Sequence, residues 1–139
     1  MNLREPQPVA AKALVAEDDP RVASMVEEVL RTAGFLVSHT GDGIATINEI
    51  LTSKPDVVVL DLVLPKLHGR DICTMVRKSP AVHHIPIVVI SGQAGEEDRI
   101  NLFSLGVDDF LTKPFRTDEL LARVQAACYR ARARPSFWM

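Results

Sequence analysis

Residues 57–69 read VVVLDLVLPKLHG, and their pattern decides the architecture. Val57-Val58-Val59-Leu60 is a short, β-branched apolar run that stops abruptly at Asp61. Such a run, bounded by a charge and then Pro65, reads as a strand buried on both faces. Three more segments repeat the pattern. Ala13-Leu14-Val15-Ala16 ends at Glu17-Asp18-Asp19, Ile87-Val88-Val89-Ile90 ends at Ser91, and Phe110-Leu111-Thr112 ends at Lys113-Pro114. In an open parallel sheet, ligands bind outside the carboxyl ends of the strands. The four polar ends should therefore converge on one crevice. At least three carboxylates, a hydroxyl and an ammonium would meet there, an inventory suited to a divalent cation and a phosphoryl group.

Helical patterns fill the intervals. Pro20 follows Asp19, a candidate cap, and Val22, Met25, Val26, Val29 and Leu30 recur at helical spacing until Gly34. Phe35–His39 is expected as the second strand, and Gly41-Asp42-Gly43 opens a helix carrying Ile44, Ile47, Ile50 and Leu51. Further helices are expected over about 70–78, 96–105 and from Thr117, with strands over 12–17, 56–61, 86–91 and 108–111. Strict alternation of five strands with five helices implies an α/β doubly wound sheet with right-handed crossovers. Residues 1–10 and 132–139 read as tails around one domain over 11–131, with no internal repeat.

Composition narrows the function classes. The chain has 139 residues, 47% of them apolar, which suits one globular domain. No apolar stretch approaches the roughly 18 residues of a membrane span. Residues 1–10 lack an apolar core, so no secretory signal is expected. Cys73 and Cys128 form no metal or redox motif and are expected as reduced packing thiols in the cytoplasm. A net charge of −2 argues against nonspecific nucleic-acid binding by the domain.

These residues resemble the receiver domain of two-component response regulators. The resemblance rests on Glu17-Asp18, on Asp61 within VVVLDLVLPKLHG, on Ser91 within IVVISG, and on Lys113 within DDFLTKPF. Separations of 43, 30 and 22 residues between Asp18, Asp61, Ser91 and Lys113 suit that family. The resemblance implies a flavodoxin-like (βα)5 fold with strand order 2-1-3-4-5. It implies Asp61 as phosphoacceptor, assisted by Lys113 and Ser91. Mg²⁺ or Mn²⁺ would be bound by Asp18, Asp61, Glu17 through water, and the backbone carbonyl of Val63. Ser91 and Phe110 would form the switch, with Phe110 turning inward on phosphorylation. The expected partners are a sensor histidine kinase or a phosphotransfer protein. A cis Lys113-Pro114 peptide is also implied, and Val63 and Gln93 occupy positions that tune hydrolysis in the family.

The segments GEEDRI, DDF and DELLARV resemble the winged-helix, OmpR-type subclass. That likeness implies a homodimer on phosphorylation, pairing Arg99 with Glu119, Asp109 with Arg123, and Asp108 with Arg130 across the interface. Direct DNA binding by the chain is not expected. A stand-alone regulator and a receiver excised from a DNA-binding protein both stay open.

Rival readings exist for each residue. Glu17-Asp18-Asp19 suits a solvated helix start, Ser91-Gly92 a loop, and the interface charges ordinary surface pairs. Asp19 reads best as a cap. His83-His84 reads as a solvated loop, and His68 receives no catalytic role. Two other functions compete. A metal-dependent phosphohydrolase would need a second acid and a substrate cap, and neither is evident. A phosphorylation-independent interaction module would be expected to lack the acceptor, the lysine or the acidic pair, and all are present.

Overall fold

The computed structural model describes residues 10–92 and 96–133. Ten elements alternate along the chain: β1 (Lys12–Ala16), α1 (Pro20–Thr32), β2 (Leu36–Thr40), α2 (Gly43–Ser53), β3 (Val57–Asp61), α3 (Gly69–Lys78), β4 (Ile87–Ser91), α4 (Glu96–Ser104), β5 (Asp109–Thr112) and α5 (Thr117–Ala133). The strands form one parallel sheet in the order β2-β1-β3-β4-β5. The order reverses between β1 and β3, and that switch point opens the crevice expected there.

Alternation along each strand builds two apolar layers. Leu14, Val58, Leu60 and Val89 face the side carrying Ile47, Ile50, Ile72, Val76 and Leu102. Ala13, Val15, Val57, Val59, Val88 and Ile90 face Val26, Leu30, Leu120 and Val124. The successive residues of a strand point to opposite faces. Strands β3 and β4 are buried along their whole length because helices cover both sides. Each fully buried Val or Leu contributes about 1.5–3 kcal/mol relative to exposure. The edge strand β2 is largely half-exposed or exposed, and reads accordingly as Leu-Val-Ser-His-Thr.

Helix ends match their local chemistry. Asp19 caps α1 by accepting from Arg21 N at 2.9 Å, and Asp42 caps α2 by accepting from Ala45 N at 2.8 Å. Gly34, at φ +100, ends α1 in a conformation that side chains disfavour. Gly69 opens α3 where a Cβ would lie 2.7 Å from Leu62 Cα.

Several boundaries move by one residue from expectation, for identifiable reasons. Phe35 N bonds to Leu30 O, closing α1, so β2 begins at Leu36 rather than Phe35. Asp108 turns its carboxylate to Ile87 N and Arg77, so β5 runs 109–112 rather than 108–111. Glu17 leaves β1 although its N–H still bonds to Thr40 O at 3.0 Å.

Candidate functional site

The carboxyl ends of β1, β3, β4 and β5 bring the four sequence signals together. Glu17 follows β1 and is fully buried, whereas Asp18 beside it is exposed. Asp61 is the last residue of β3 and is 5% exposed. Ser91 ends β4, is buried, and its carbonyl accepts from Lys113 N at 2.8 Å. Lys113 follows β5 directly, and its peptide bond to Pro114 is cis. Its ammonium donates to Glu17 Oε1 at 2.5 Å and to Asp61 Oδ2 at 3.0 Å. Asp61 Oδ1 accepts from Val63 N at 3.1 Å, and Glu17 Oε2 accepts from Asp19 N at 3.2 Å. A cleft of about 530 Å³ opens over this group, walled by Asp18, Asp61, Lys113, Val63 and Gly92.

Burial and like charge set the electrostatics. Desolvation pushes the Glu17 carboxyl up to about 7, and Asp61 adds to the rise, while Lys113 and the Asp19 N–H partly oppose it. Burial disfavours the charged form of Lys113, but its bonds to Glu17 and Asp61 outweigh that cost and raise it above the ordinary lysine value. The ammonium therefore stays charged. One ammonium faces two carboxylates there, with a third, Asp18, at the mouth. Carboxylate oxygens of Glu17, Asp18 and Asp61 lie within 4.8 Å of one another. An all-oxygen set with excess negative charge fits a hard divalent cation such as Mg²⁺, which would offset the burial that raises Glu17 and the smaller share added by Asp61. Asp19 is not part of that set, because its Oδ1 is engaged as the α1 cap.

Residues 13–125 match the family described as response regulator receiver domain. The chain belongs to this family. Among curated proteins it is 38% identical over 136 residues to the alkaline phosphatase synthesis transcriptional regulatory protein SphR of Synechococcus elongatus, covering 91% of this chain and 52% of that protein. It is 37% identical over 125 residues to the DNA-binding response regulator MtrA of Mycolicibacterium smegmatis, covering 90% and 54%. The chain spans about half the length of these relatives. A putative response regulator of Chloroflexus aurantiacus superposes with a TM-score of 0.83 at 34% identity, covering 88% of this chain and 100% of that one. The receiver domain of a Pseudomonas aeruginosa sensor histidine kinase, solved with a magnesium ion coordinated in its active-site cleft, gives 0.79 at 28%, covering 87% and 99%. The receiver fold and strand order expected from the sequence are thus those observed.

Phe110 is buried, 7% exposed, within the apolar layer that holds Leu102. The residues expected to pair across a dimer make contacts within the chain. Arg123 Nη1 donates to both Asp109 oxygens at 3.0 Å, and its Nη2 donates to Glu119 at 3.1 Å. Asp108 accepts from Arg77 at 3.1 Å and from Ile87 N at 2.8 Å. Arg99 donates to Thr112 Oγ1 at 2.7 Å. Gln93, and residues 134–139 of the expected tail, lie outside the described residues.

Two residues were missed by the sequence reading. Arg77 donates to the carbonyls of Gly106, His83 and Ile85 as well as to Asp108, tying α3 to both neighbouring turns. His39 Nε2 bonds to the Glu17 carbonyl at 2.7 Å, supporting the acidic turn from β2. Nothing local to either residue signals these contacts.

Proposed function

We propose that this receiver domain, over residues 11–131, is a phosphoacceptor whose Asp61 takes the phosphoryl group in a histidine-to-aspartate relay. The observation that carries the reading is Lys113 Nζ, 3.0 Å from Asp61 Oδ2 and bridging to Glu17 across the switch-point cleft. Asp61 attacks phosphorus through a carboxylate oxygen, forming an acyl phosphate as the donor's P–N bond breaks, or its P–O bond for a small phosphodonor. A carboxylate is already a nucleophile at neutral pH, so no general base is required. Lys113 and the Ser91 hydroxyl meet the charge on the transferred oxygens, a positioning and electrostatic role. Glu17, Asp18, Asp61 and the Val63 carbonyl would hold Mg²⁺. When bound, that ion neutralises charge shared by the carboxylates and the phosphoryl group.

A sensor histidine kinase or phosphotransfer protein is the protein donor that would carry the phosphohistidine of such a relay. The output is a changed surface on α4, β5 and α5, read by a homodimer or by a DNA-binding segment like those of the relatives named above. A cytoplasmic setting is supported by two unpaired thiols, both buried and both raised by that burial, Cys73 to about 11.

The decisive experiment is intact-mass spectrometry after incubation with Mg²⁺ and a small phosphodonor. Wild type should gain one phosphoryl adduct that hydroxylamine removes, as expected of an acyl phosphate, and Asp61→Asn should gain none. A stoichiometric adduct on Asp61→Asn excludes the assignment.

A further inference from the structure

Strand β1 ends at Ala16, yet both backbone groups of the next residue, Glu17, are held from β2. Glu17 N donates to Thr40 O at 3.0 Å, the last rung that β2 supplies. Beyond Thr40 the chain bends away, and Asp42 caps α2. The strand thus has no residue left to meet the Glu17 carbonyl, and a side chain does so instead. His39 Nε2 lies 2.7 Å from Glu17 O. A carbonyl oxygen only accepts, so Nε2 is the nitrogen that carries the proton in this contact. His39 is exposed on the edge strand, so its ring is not there to fill the core. The strand end that carries it is itself pinned. Thr40 Oγ1 lies 2.7 Å from Oγ1 of the fully buried Thr46, which donates to Asp42 O at 2.7 Å.

We propose that His39 is a positioning residue for the metal site, setting the plane of the peptide that joins Glu17 to Asp18. The two acids depend on that plane unequally. The Glu17 side chain is anchored already, by the Lys113 ammonium and the Asp19 N–H. Asp18 is exposed, and no side chain among the described residues bonds its carboxylate. Its direction is therefore set through its backbone. A peptide is planar, so fixing the Glu17 oxygen also fixes the Asp18 nitrogen. Rotation of that peptide would swing Asp18 away from the point it shares with Glu17 and Asp61, whose oxygens lie within 4.8 Å of its own. A small divalent cation demands near-ideal ligand placement. An Asp18 held in place before binding spares the cost of ordering it on binding. Groups that orient a metal's ligands change affinity by about 10–100-fold. His39 acts through a peptide and not on a carboxylate, which puts it at the low end of that range.

The proposal rests on Glu17, Asp18 and Asp61 as the metal site, and Mn²⁺ alone is the probe. Free Mn²⁺ is counted by electron paramagnetic resonance at fixed pH and ionic strength. His39→Phe and His39→Ala both lack the donor, one keeping a planar ring and one removing it. Each should weaken Mn²⁺ binding about tenfold. His39→Gln offers an amide N–H at similar reach and should recover most of the affinity. Without metal, the Glu17 carbonyl ¹³C and Asp18 amide ¹⁵N resonances report the two ends of the peptide. Both should shift in the donorless variants and stay near wild type in His39→Gln. Mn²⁺ bound by His39→Phe and His39→Ala as tightly as by wild type would overturn the proposal. An equal loss in His39→Gln would also overturn it, because the N–H would then not be what matters. Asp18→Asn serves as the control and should lose Mn²⁺. If it binds Mn²⁺ as wild type does, the acidic set is not the metal site and that reading fails. The metal-free resonances still decide whether His39 holds the peptide.

Discussion

Lys113 and Arg123 each bridge two carboxylates, yet the two clusters do opposite things. Lys113 holds Glu17 and Asp61 at the switch point, where Glu17 is fully buried and Asp61 nearly so. Arg123 holds Asp109 and Glu119 on the surface, with its side chain 42% exposed. In the first cluster desolvation dominates, so the acid is pushed toward neutrality and the cation cannot be removed cheaply. In the second, hydrogen bonds to Asp109 and then Glu119 raise the arginine, and water screens what is gained. The same charge pattern is therefore a chemical site in one place and surface decoration in the other. Burial, not the number of ion pairs, makes the difference.

The comparison can be broken most directly by deleting each cation. Lys113→Met should cost about 2–4 kcal/mol in Mg²⁺-free buffer near pH 8, because it leaves buried carboxylates uncompensated. Arg123→Ala should cost about 0–1 kcal/mol. Urea denaturation of both variants measures the difference, and equal losses would mean that burial is not the deciding factor.

The pH dependence sharpens the same point. Glu17 has a folded value of about 7, raised from 4.5. Between those values the folded chain binds more protons than the unfolded one, so stability falls as pH rises through that window. Metal-free wild type should thus melt higher at pH 5.5 than at pH 8, by on the order of a few kcal/mol at most. Glu17→Gln should flatten this slope, and the loss in Lys113→Met should shrink at low pH. A slope retained in Glu17→Gln would assign it to another group.

Millimolar Mg²⁺ should raise the melting temperature of wild type by mass action, and Asp18→Ala should lose most of that gain. Arg123→Ala should keep it in full, since its cluster offers no site. An equal rise in wild type and Asp18→Ala, followed by calorimetry, would count against the acidic set as the metal site.

The smallest expected effect is salt. A double-mutant cycle on Asp109 and Arg123 should give a coupling of about 0.2–1 kcal/mol that fades toward 1 M salt. The coupling of Glu17 with Lys113 should persist, because little water reaches it. Coupling that survives salt at Asp109–Arg123 would make that pair more than a surface contact.

What was legible in the sequence follows from local physics. Short, mostly β-branched runs such as Val57–Leu60 and Ile87–Ile90, bounded by polar or turn residues, read as strands covered on both faces, and helices between them imply parallel crossovers. Given a parallel sheet, the residue after each run must sit at the same edge, so Glu17, Asp61, Ser91 and Lys113 were locatable without coordinates. Asp19 as a cap was legible for the same reason, since capping is a matter of neighbours in the chain. The tertiary structure alone decided which long side chains meet. Lys113 and Glu17 are 96 residues apart, and Arg77 and Asp108 are 31 apart. Arg99 meets Phe110 and Thr112 between α4 and β5, a pairing that no local pattern signals. Strand and cap are set by sterics and burial over a few residues. The partner of a flexible charged side chain is set by what the finished fold places within its reach, and by how much water is left there.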